Sequence, residues 1–251
     1  MTLRVALSVA ALAAASCAGP SRLTRGGARS LSGRPVGHVT VRGNRAFSDG
    51  DIVAGLAHRP PSGVPVLRWL PWFRHRTVYD PFALRVDLER IRAFYRARGY
   101  FAARADARVR AAGGAIDIAF DVDEGSPARV VSVAVDGVPD DAAAAVDRIV
   151  TASGVRRGRR FVHADYLALK AALRDALVAR GYAHARVDGE VQVAVARGEV
   201  GVAIHVDAGP LVRLAPPVVT GNRRVPASVI LRRVAWRAGD RYDPTRLRAT
   251  Q

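Results

Sequence analysis

The residue with the most distinctive chemistry is the only cysteine, Cys17. It follows Ala14-Ala15-Ser16 at the end of an apolar run from Val5 to Ala15, with Arg4 as the basic residue before the run. This pattern predicts a secretory signal over residues 1–17, because the run is shorter than the roughly 20 residues that a membrane-spanning helix needs. Two outcomes stay open: cleavage before Cys17 with lipid attached to its sulfur, or ordinary cleavage after the alanines that leaves Cys17 discarded or idle.

The other chemistry-bearing side chains form no catalytic motif. The six histidines are dispersed, and the sequence has no nucleophile elbow, phosphate-binding loop, dinucleotide fingerprint or metal-binding cluster. Asp117, Asp121 and Asp123 carry the oxygens that Ca²⁺ prefers, but they lie on an alternating strand without the glycine-bearing loop of such sites. We therefore expect no enzymatic activity, no metal ion and no cofactor.

The net charge of +17 raises the question of a nucleic-acid partner, since basic surfaces gain affinity from phosphate contacts. The arginines are spread over every segment, however, and no group of stacking aromatic residues accompanies them. The sequence thus predicts no nucleic-acid binding and leaves attraction to anionic lipid head groups open.

The elements that would position a binding site come from a repeat of roughly 80 residues. Ala97-Arg98-Gly99-Tyr100 recurs as Ala179-Arg180-Gly181-Tyr182, and Val41-Arg42-Gly43-Asn44-Arg45 returns as Val219-Thr220-Gly221-Asn222-Arg223. The predicted units are a flexible linker over residues 18–35, a first repeat over 36–126, a second over 127–209, and a third over 210–251 that is cut short.

Hydrophobic periodicity predicts the same element order, β-α-α-β-β, in each repeat. In the first repeat Asp80 and Pro81 begin the long helix, Gly99 ends it, and alternating residues then form a hairpin around Gly113-Gly114. The simplest packing is an α+β unit in which two helices cover one face of a three-stranded mixed sheet.

Four short motifs mark the boundaries between the predicted elements of the first repeat. They are Gly-Asn after the first strand, Tyr-Asp before the long helix, Arg98-Gly99-Tyr100-Phe101 at its end and Glu124-Gly125 after the last strand. Together they resemble the POTRA (polypeptide-transport-associated) repeats of the BamA/TamA family of outer-membrane protein assembly factors, and the resemblance covers Val36 to Gln251.

The resemblance implies tandem POTRA domains at the periplasmic face of the outer membrane. Their partners would be unfolded outer-membrane proteins and accessory assembly proteins. A POTRA-type scaffold or adaptor in two-partner secretion or cell division is the alternative setting.

The chain departs from the family pattern at its end. Family members usually finish in a membrane barrel, and the sequence shows no such run of aromatic-flanked strands. The third repeat also stops where its long helix should form. We expect a fragment, joined to the outer membrane through a barrel that lies outside it or through a lipid on Cys17.

The resemblance places client binding on the strand that follows each long helix. An open sheet edge presents unpaired N–H and C=O groups, to which an extended client can add a strand. The candidate residues are Phe101, Arg104, Arg108, Arg110, Val187, Val191 and Val193. The alternative for the arginines is that they are ordinary solvated strand positions.

An insertion over residues 60–76 distinguishes the first repeat. It contains Trp69, Trp72 and Phe73 in a proline-interrupted segment. These aromatics could anchor a partner or a membrane interface, or they could pack back over their own domain.

Overall fold

The computed structural model describes residues 31–59 and 77–250. The element order β-α-α-β-β occurs twice and is followed by two short helices. The elements are β1 (Val36–Arg42), α1 (Asp49–Val53), α2 (Pro81–Arg96), β2 (Arg104–Ala112), β3 (Ala115–Asp123), β4 (Arg129–Asp136), α3 (Asp140–Ala152), α4 (His163–Val178), β5 (Arg186–Ala194), β6 (Glu199–Asp207), α5 (Ala227–Leu231) and α6 (Pro244–Arg248). We call the unit of β1 to β3 the first domain and the unit of β4 to β6 the second domain.

Each domain contains one three-stranded mixed sheet. The strand orders are β1-β3-β2 and β4-β6-β5, with the last strand of each domain in the centre. The first strand pairs with the centre in parallel, and the middle strand pairs with it in antiparallel fashion. The predicted α+β fold is confirmed.

The ends of α2 lie at the residues that the sequence predicted for them. The Asp80 side chain accepts a hydrogen bond from the Phe82 N–H at 2.9 Å, and Pro81 occupies the first turn, where its missing N–H costs nothing. At the other end Gly99 has a φ of +89°, which allows the Tyr100 N–H to donate back to the Tyr95 carbonyl at 3.0 Å. The two tyrosine rings then pack edge to face, with centroids 5.9 Å apart.

The cores lie between the helices and one face of each sheet. Alternate side chains of the central strands are buried there: Ile116, Ile118, Phe120 and Val122 in the first domain, and Val200, Val202, Ile204 and Val206 in the second. The residues between them stay solvated, as expected for a small sheet with a single covered face.

One fully buried residue departs from the predicted helix face. The apolar stripe predicted for α2 includes Leu88, but Leu88 is half-buried and its neighbour Asp87 is completely buried. The Asp87 carboxylate accepts hydrogen bonds from the backbone N–H groups of Ala57 and His58, at 2.7 and 2.9 Å. The His58 ring and Arg90 donate to it as well. Burial alone would raise the pKa of Asp87, but these hydrogen bonds outweigh it and hold the pKa below its ordinary value.

Residues 210–250 contact the second domain through a backbone hydrogen bond and an ion pair. The Val212 N–H donates to the Gly181 carbonyl at 2.8 Å, and the Arg241 guanidinium lies 3.4 Å from the Asp141 carboxylate. No described residue in this segment is buried. The segment therefore adds a surface to the second domain without adding a core.

Candidate binding edges

The sheet orders place β2 and β5 at an edge of their sheets, as a strand-addition site requires. Each pairs with the central strand over nine residues, from Arg104 to Ala112 and from Arg186 to Ala194, without a shift in register. A further strand from another chain can add to a long and regular edge strand of this kind.

In the first sheet, one backbone contact settles which groups of β2 point outward. The Ile116 N–H donates to the Pro35 carbonyl at 2.9 Å, so Ile116 directs its backbone groups toward β1. Backbone direction alternates along a strand, so the odd-numbered residues of β3 face β2. From Asp117 to Asp123 these residues pair with Arg110, Arg108, Asp106 and Arg104 in the observed register. The residues between them, which include Ala105 and Val109, therefore direct their N–H and C=O groups away from the sheet.

The same reasoning applies to β5. A Cβ added to Gly137, just after β4, would lie 2.1 Å from the Val206 carbonyl oxygen, so Val206 faces the β4 side of the sheet. Alternation then turns the even-numbered residues of β5 toward β6, and the outward backbone groups belong to Val187, Gly189, Val191 and Val193. Three of these four residues were predicted from the sequence as site residues.

The two edges differ in how open they are. In the first domain the Arg92 guanidinium donates to the Ala105 carbonyl of β2 at 2.7 Å and so occupies one outward acceptor. Arg174, which holds the corresponding place on α4, instead donates to Asp175 at 3.2 Å. The corresponding carbonyl of β5, at Val187, receives no such bond among the described residues. The β5 edge is therefore the better candidate.

An apolar groove of about 310 Å³ lies beside β5 at the junction of the two domains. Its wall is formed by Val191 and Val193 of β5 together with Phe101 and Phe161, whose rings lie 5.9 Å apart. Arg96 and His163 also line it. The groove exists only because residues from both domains meet, and it adjoins the outward backbone of β5.

The junction itself is held by backbone hydrogen bonds and by one arginine. The Ala128 N–H donates to the Gly99 carbonyl, and the His163 N–H donates to the Ala97 carbonyl, both at 2.8 Å. Arg160 lies 5.7 Å from the centre of the Tyr100 ring, a cation–π distance. The C-terminal end of α2 thus serves as the docking point for the second domain.

The predicted arginines of β2 lie on the solvated face, and one of them is paired. The Arg108 guanidinium donates to both Asp121 carboxylate oxygens, and this hydrogen bond raises the pKa of Arg108. Arg110 lies opposite Asp117 in the register. Part of the positive charge is therefore balanced across the strands. A role of these arginines in client binding stays a prediction.

Sequence reasoning missed four residues of the junction groove: Arg96, Ala97, Phe161 and His163. They come from the end of one helix and the start of another in the next domain, and no local pattern joins them to β5. The predicted lipidation site Cys17 and the aromatic anchor of Trp69, Trp72 and Phe73 lie outside the described residues. None of the helices in the described part of the chain has the length and hydropathy to cross a membrane.

Comparison with known proteins agrees with the repeat architecture. A family model described as "POTRA: Surface antigen variable number repeat" matches residues 35–125. No curated protein matches the chain.

Among solved structures, POTRA3-5 of BamA from Haemophilus influenzae is 18% identical, with coverage of 86% of this chain and 83% of that one and a TM-score of 0.50. The N-terminal domain of Omp85 from the thermophilic cyanobacterium Thermosynechococcus elongatus is 19% identical. The match covers 86% of this chain and 82% of that one, with a TM-score of 0.40. POTRA1-3 of the periplasmic domain of Omp85 from Anabaena is 17% identical, with coverage of 87% and 83% and a TM-score of 0.39. The likeness to the BamA structure shows that the two chains share a fold.

The predicted resemblance to POTRA repeats is confirmed. Residues 35–125 of this chain are a POTRA domain, and the second domain repeats its β-α-α-β-β order and strand arrangement.

Proposed function

We propose that this protein is a periplasmic scaffold of the outer membrane, which binds extended segments of unfolded outer-membrane proteins during their assembly or secretion. The POTRA match at residues 35–125 and the shared fold with BamA POTRA3-5 support this setting. In the proposal the chain binds and positions its clients and catalyses no reaction. Accessory assembly proteins would bind the same kind of surface.

The observation that carries the proposal is the regular, outward-facing edge of β5. A client strand placed there would form backbone hydrogen bonds with Val187, Gly189, Val191 and Val193, and these bonds depend little on client sequence. The groove beside Val191 and Val193 would receive an apolar client side chain. Transmembrane β-strands alternate apolar and polar residues, so they match an edge that is apolar on one side.

Replacing Val191 with proline should weaken client binding about two- to tenfold. Proline lacks the N–H that Val191 directs outward, and one net backbone hydrogen bond contributes about 0.5–1.5 kcal/mol. The probe is a fluorescein-labelled synthetic peptide of ten residues with alternating apolar and polar side chains, titrated with the full chain while fluorescence anisotropy is recorded.

Val109→Pro is the matched control, because Val109 holds the corresponding outward position on β2, where Arg92 already occupies an outward acceptor. It should change the affinity less than twofold. Equal losses of affinity in the two variants would show that the peptide does not prefer β5 over β2. Unchanged binding by the Val191 variant, with an intact circular dichroism spectrum, would exclude β5 as the site.

A further inference from the structure

The opposite edge of the second sheet carries a second surface, independent of β5. The outer side of β4 is covered at its start by the α3–α4 loop: the Val130 N–H donates to the Arg159 carbonyl, and the Gly158 N–H donates to the Val130 carbonyl. Arg129 and Arg160 form an antiparallel bridge there. After Val130 the loop leaves the strand, and the remaining residues of β4 have no outer neighbour among the described residues.

A bulge lies at the point where this cover ends. Val130 pairs with Val200 and Ser132 with Gly201, so Val131 is an extra residue in β4. The backbone groups of Val130 point outward, since they bond the loop. The bulge moves the alternation by one residue, so Val133 and Val135 also direct their N–H and C=O groups outward. Two outward donors and two outward acceptors are therefore free for a further strand.

An apolar groove runs along this free stretch. It measures about 470 Å³, and its lining consists of four valines, two hydroxyl residues and two arginines: Val131, Val133, Val150, Val155, Ser132, Thr151, Arg156 and Arg157. The Val131 side chain is 39% exposed although valine is apolar. A segment added to β4 could direct its own apolar side chains into this groove.

The two arginines set the charge of the occupant. Arg156 and Arg157 are exposed, and neither guanidinium makes a hydrogen bond or ion pair with the described residues. They follow α3 and precede the loop residues that pair with β4 in antiparallel fashion. A strand that continues this antiparallel pairing along Val133 and Val135 would place its carboxyl end beside the two positive charges.

We propose that the β4 edge is a docking site for an extended segment of a partner protein that alternates apolar and polar residues and ends in several carboxylates. A second copy of this chain is the less suitable occupant. A symmetric antiparallel pairing of two β4 strands would bring one carboxylate, that of Asp136, toward the arginines, and Asp136 already accepts a hydrogen bond from His205. The site is distinct from β5 and does not depend on the function proposed for it.

The test uses the full chain and two fluorescein-labelled synthetic peptides of alternating threonine and valine, one ending in three aspartates and one in three lysines. The aspartate peptide should bind at least about tenfold more tightly, and its affinity should fall with added salt, because exposed charges are screened. Val133→Pro should weaken it about two- to tenfold, because one outward N–H is lost. The double variant Arg156→Glu with Arg157→Glu should weaken it about tenfold or more.

The controls separate this site from the rest of the protein. Arg174→Glu reverses a charge on the exposed face of α4 and should leave the affinity unchanged. The preference for the aspartate peptide should persist in Val191→Pro, in which strand addition at β5 is weakened. If Val133→Pro unfolds the domain, Val131→Glu provides a second test of the groove. Val131 is exposed and contributes little to the core, so this variant should fold and should also abolish tight binding.

Three results would overturn the proposal. The aspartate peptide could bind no better than the lysine peptide. Vesicles with anionic lipid could bind through Arg156 and Arg157 while the peptide does not, which would identify a lipid surface. Sedimentation could show a dimer that Val133→Pro dissociates while the peptide does not bind, which would identify a second copy as the occupant.

Discussion

Replacing Asp87 with alanine should lower the free energy of unfolding of the first domain by about 3–5 kcal/mol, as expected when one partner of a buried charged network is removed. Asp87 is fully buried, and its carboxylate joins the backbone at Ala57 and His58 to α2. The His58 ring is also buried, and its other nitrogen accepts a hydrogen bond from the Asp80 N–H at 3.2 Å. Without the carboxylate, the backbone N–H groups of Ala57 and His58 and the buried His58 ring lose their acceptor.

Hydrogen exchange followed by mass spectrometry checks this prediction within a single sample. Amides of α2 should exchange faster in the variant, while amides of α4 in the second domain serve as the internal reference. Glu89→Ala is the matched control on the same helix. Glu89 is exposed, and its ion pairs with Arg92 and Arg96 should contribute at most about 1 kcal/mol. If Asp87→Ala had no larger effect than Glu89→Ala, the buried network would not stabilise the domain.

The same network makes the first domain sensitive to acid. The folded-state pKa of Asp87 is lowered, so its stabilising contribution is present above the unfolded pKa of about 4 and disappears as the pH falls through the folded value. Asp87→Asn should reduce this dependence on pH. Urea unfolding of both proteins between neutral pH and about pH 3 measures the difference in slope.

Replacing Gly99 with alanine should loosen the junction between the two domains. An alanine Cβ there would lie 2.3 Å from the Phe161 carbonyl oxygen, a backbone atom of the second domain, so the domains must separate to make room. The φ of +89° adds about 1–2 kcal/mol of backbone strain for any residue with a Cβ. The distance distribution between spin labels at the exposed positions Thr40 and Ala143, measured with Cys17 changed to serine, should broaden.

Gly114→Ala is the control that separates the backbone strain of a Cβ at positive φ from displacement of the second domain. Gly114 has a φ of +84°, close to that of Gly99, but a Cβ added there would have no atom within 4 Å. This control should reduce stability by a similar strain energy and leave the interdomain distances unchanged. If Gly99→Ala also leaves them unchanged, the contact at Phe161 does not set the domain orientation.

Much of the fold could be predicted because its signals are local. Asp80 with Pro81, and Gly99 with Tyr100, mark the ends of α2 through bonds that span at most five residues. Glu124 was recognised only as part of a motif, and the structure supplies its physical role. Its carboxylate accepts hydrogen bonds from the Tyr95 hydroxyl and from the N–H groups of Arg45 and Ala46. Burial, followed by the hydrogen bond from its hydroxyl to Glu124, raises the pKa of Tyr95 well above its ordinary value.

The residues that were missed depend on distant contacts. Asp87 lies next to the predicted apolar stripe, and nothing in the local sequence shows that it accepts bonds from a loop about 30 residues earlier. Arg92 has the same sequence environment as many solvated helix residues, yet it occupies the edge of β2. The difference between the two edges arises only when each helix packs beside its strand, and the groove formed by Phe101 and Phe161 arises only when the two domains are packed together.

Amide hydrogen exchange of β5, resolved by NMR in the presence and absence of the ten-residue client peptide, tests the central claim most directly. The outward amides of Val187, Gly189, Val191 and Val193 should become protected when the peptide binds. The amides of Asp188, Glu190 and Gln192, which already face β6, should change little and provide the internal reference. Protection that alternates along β5 in this way is the result we predict, and peptide binding without any added protection of the outward amides would contradict it.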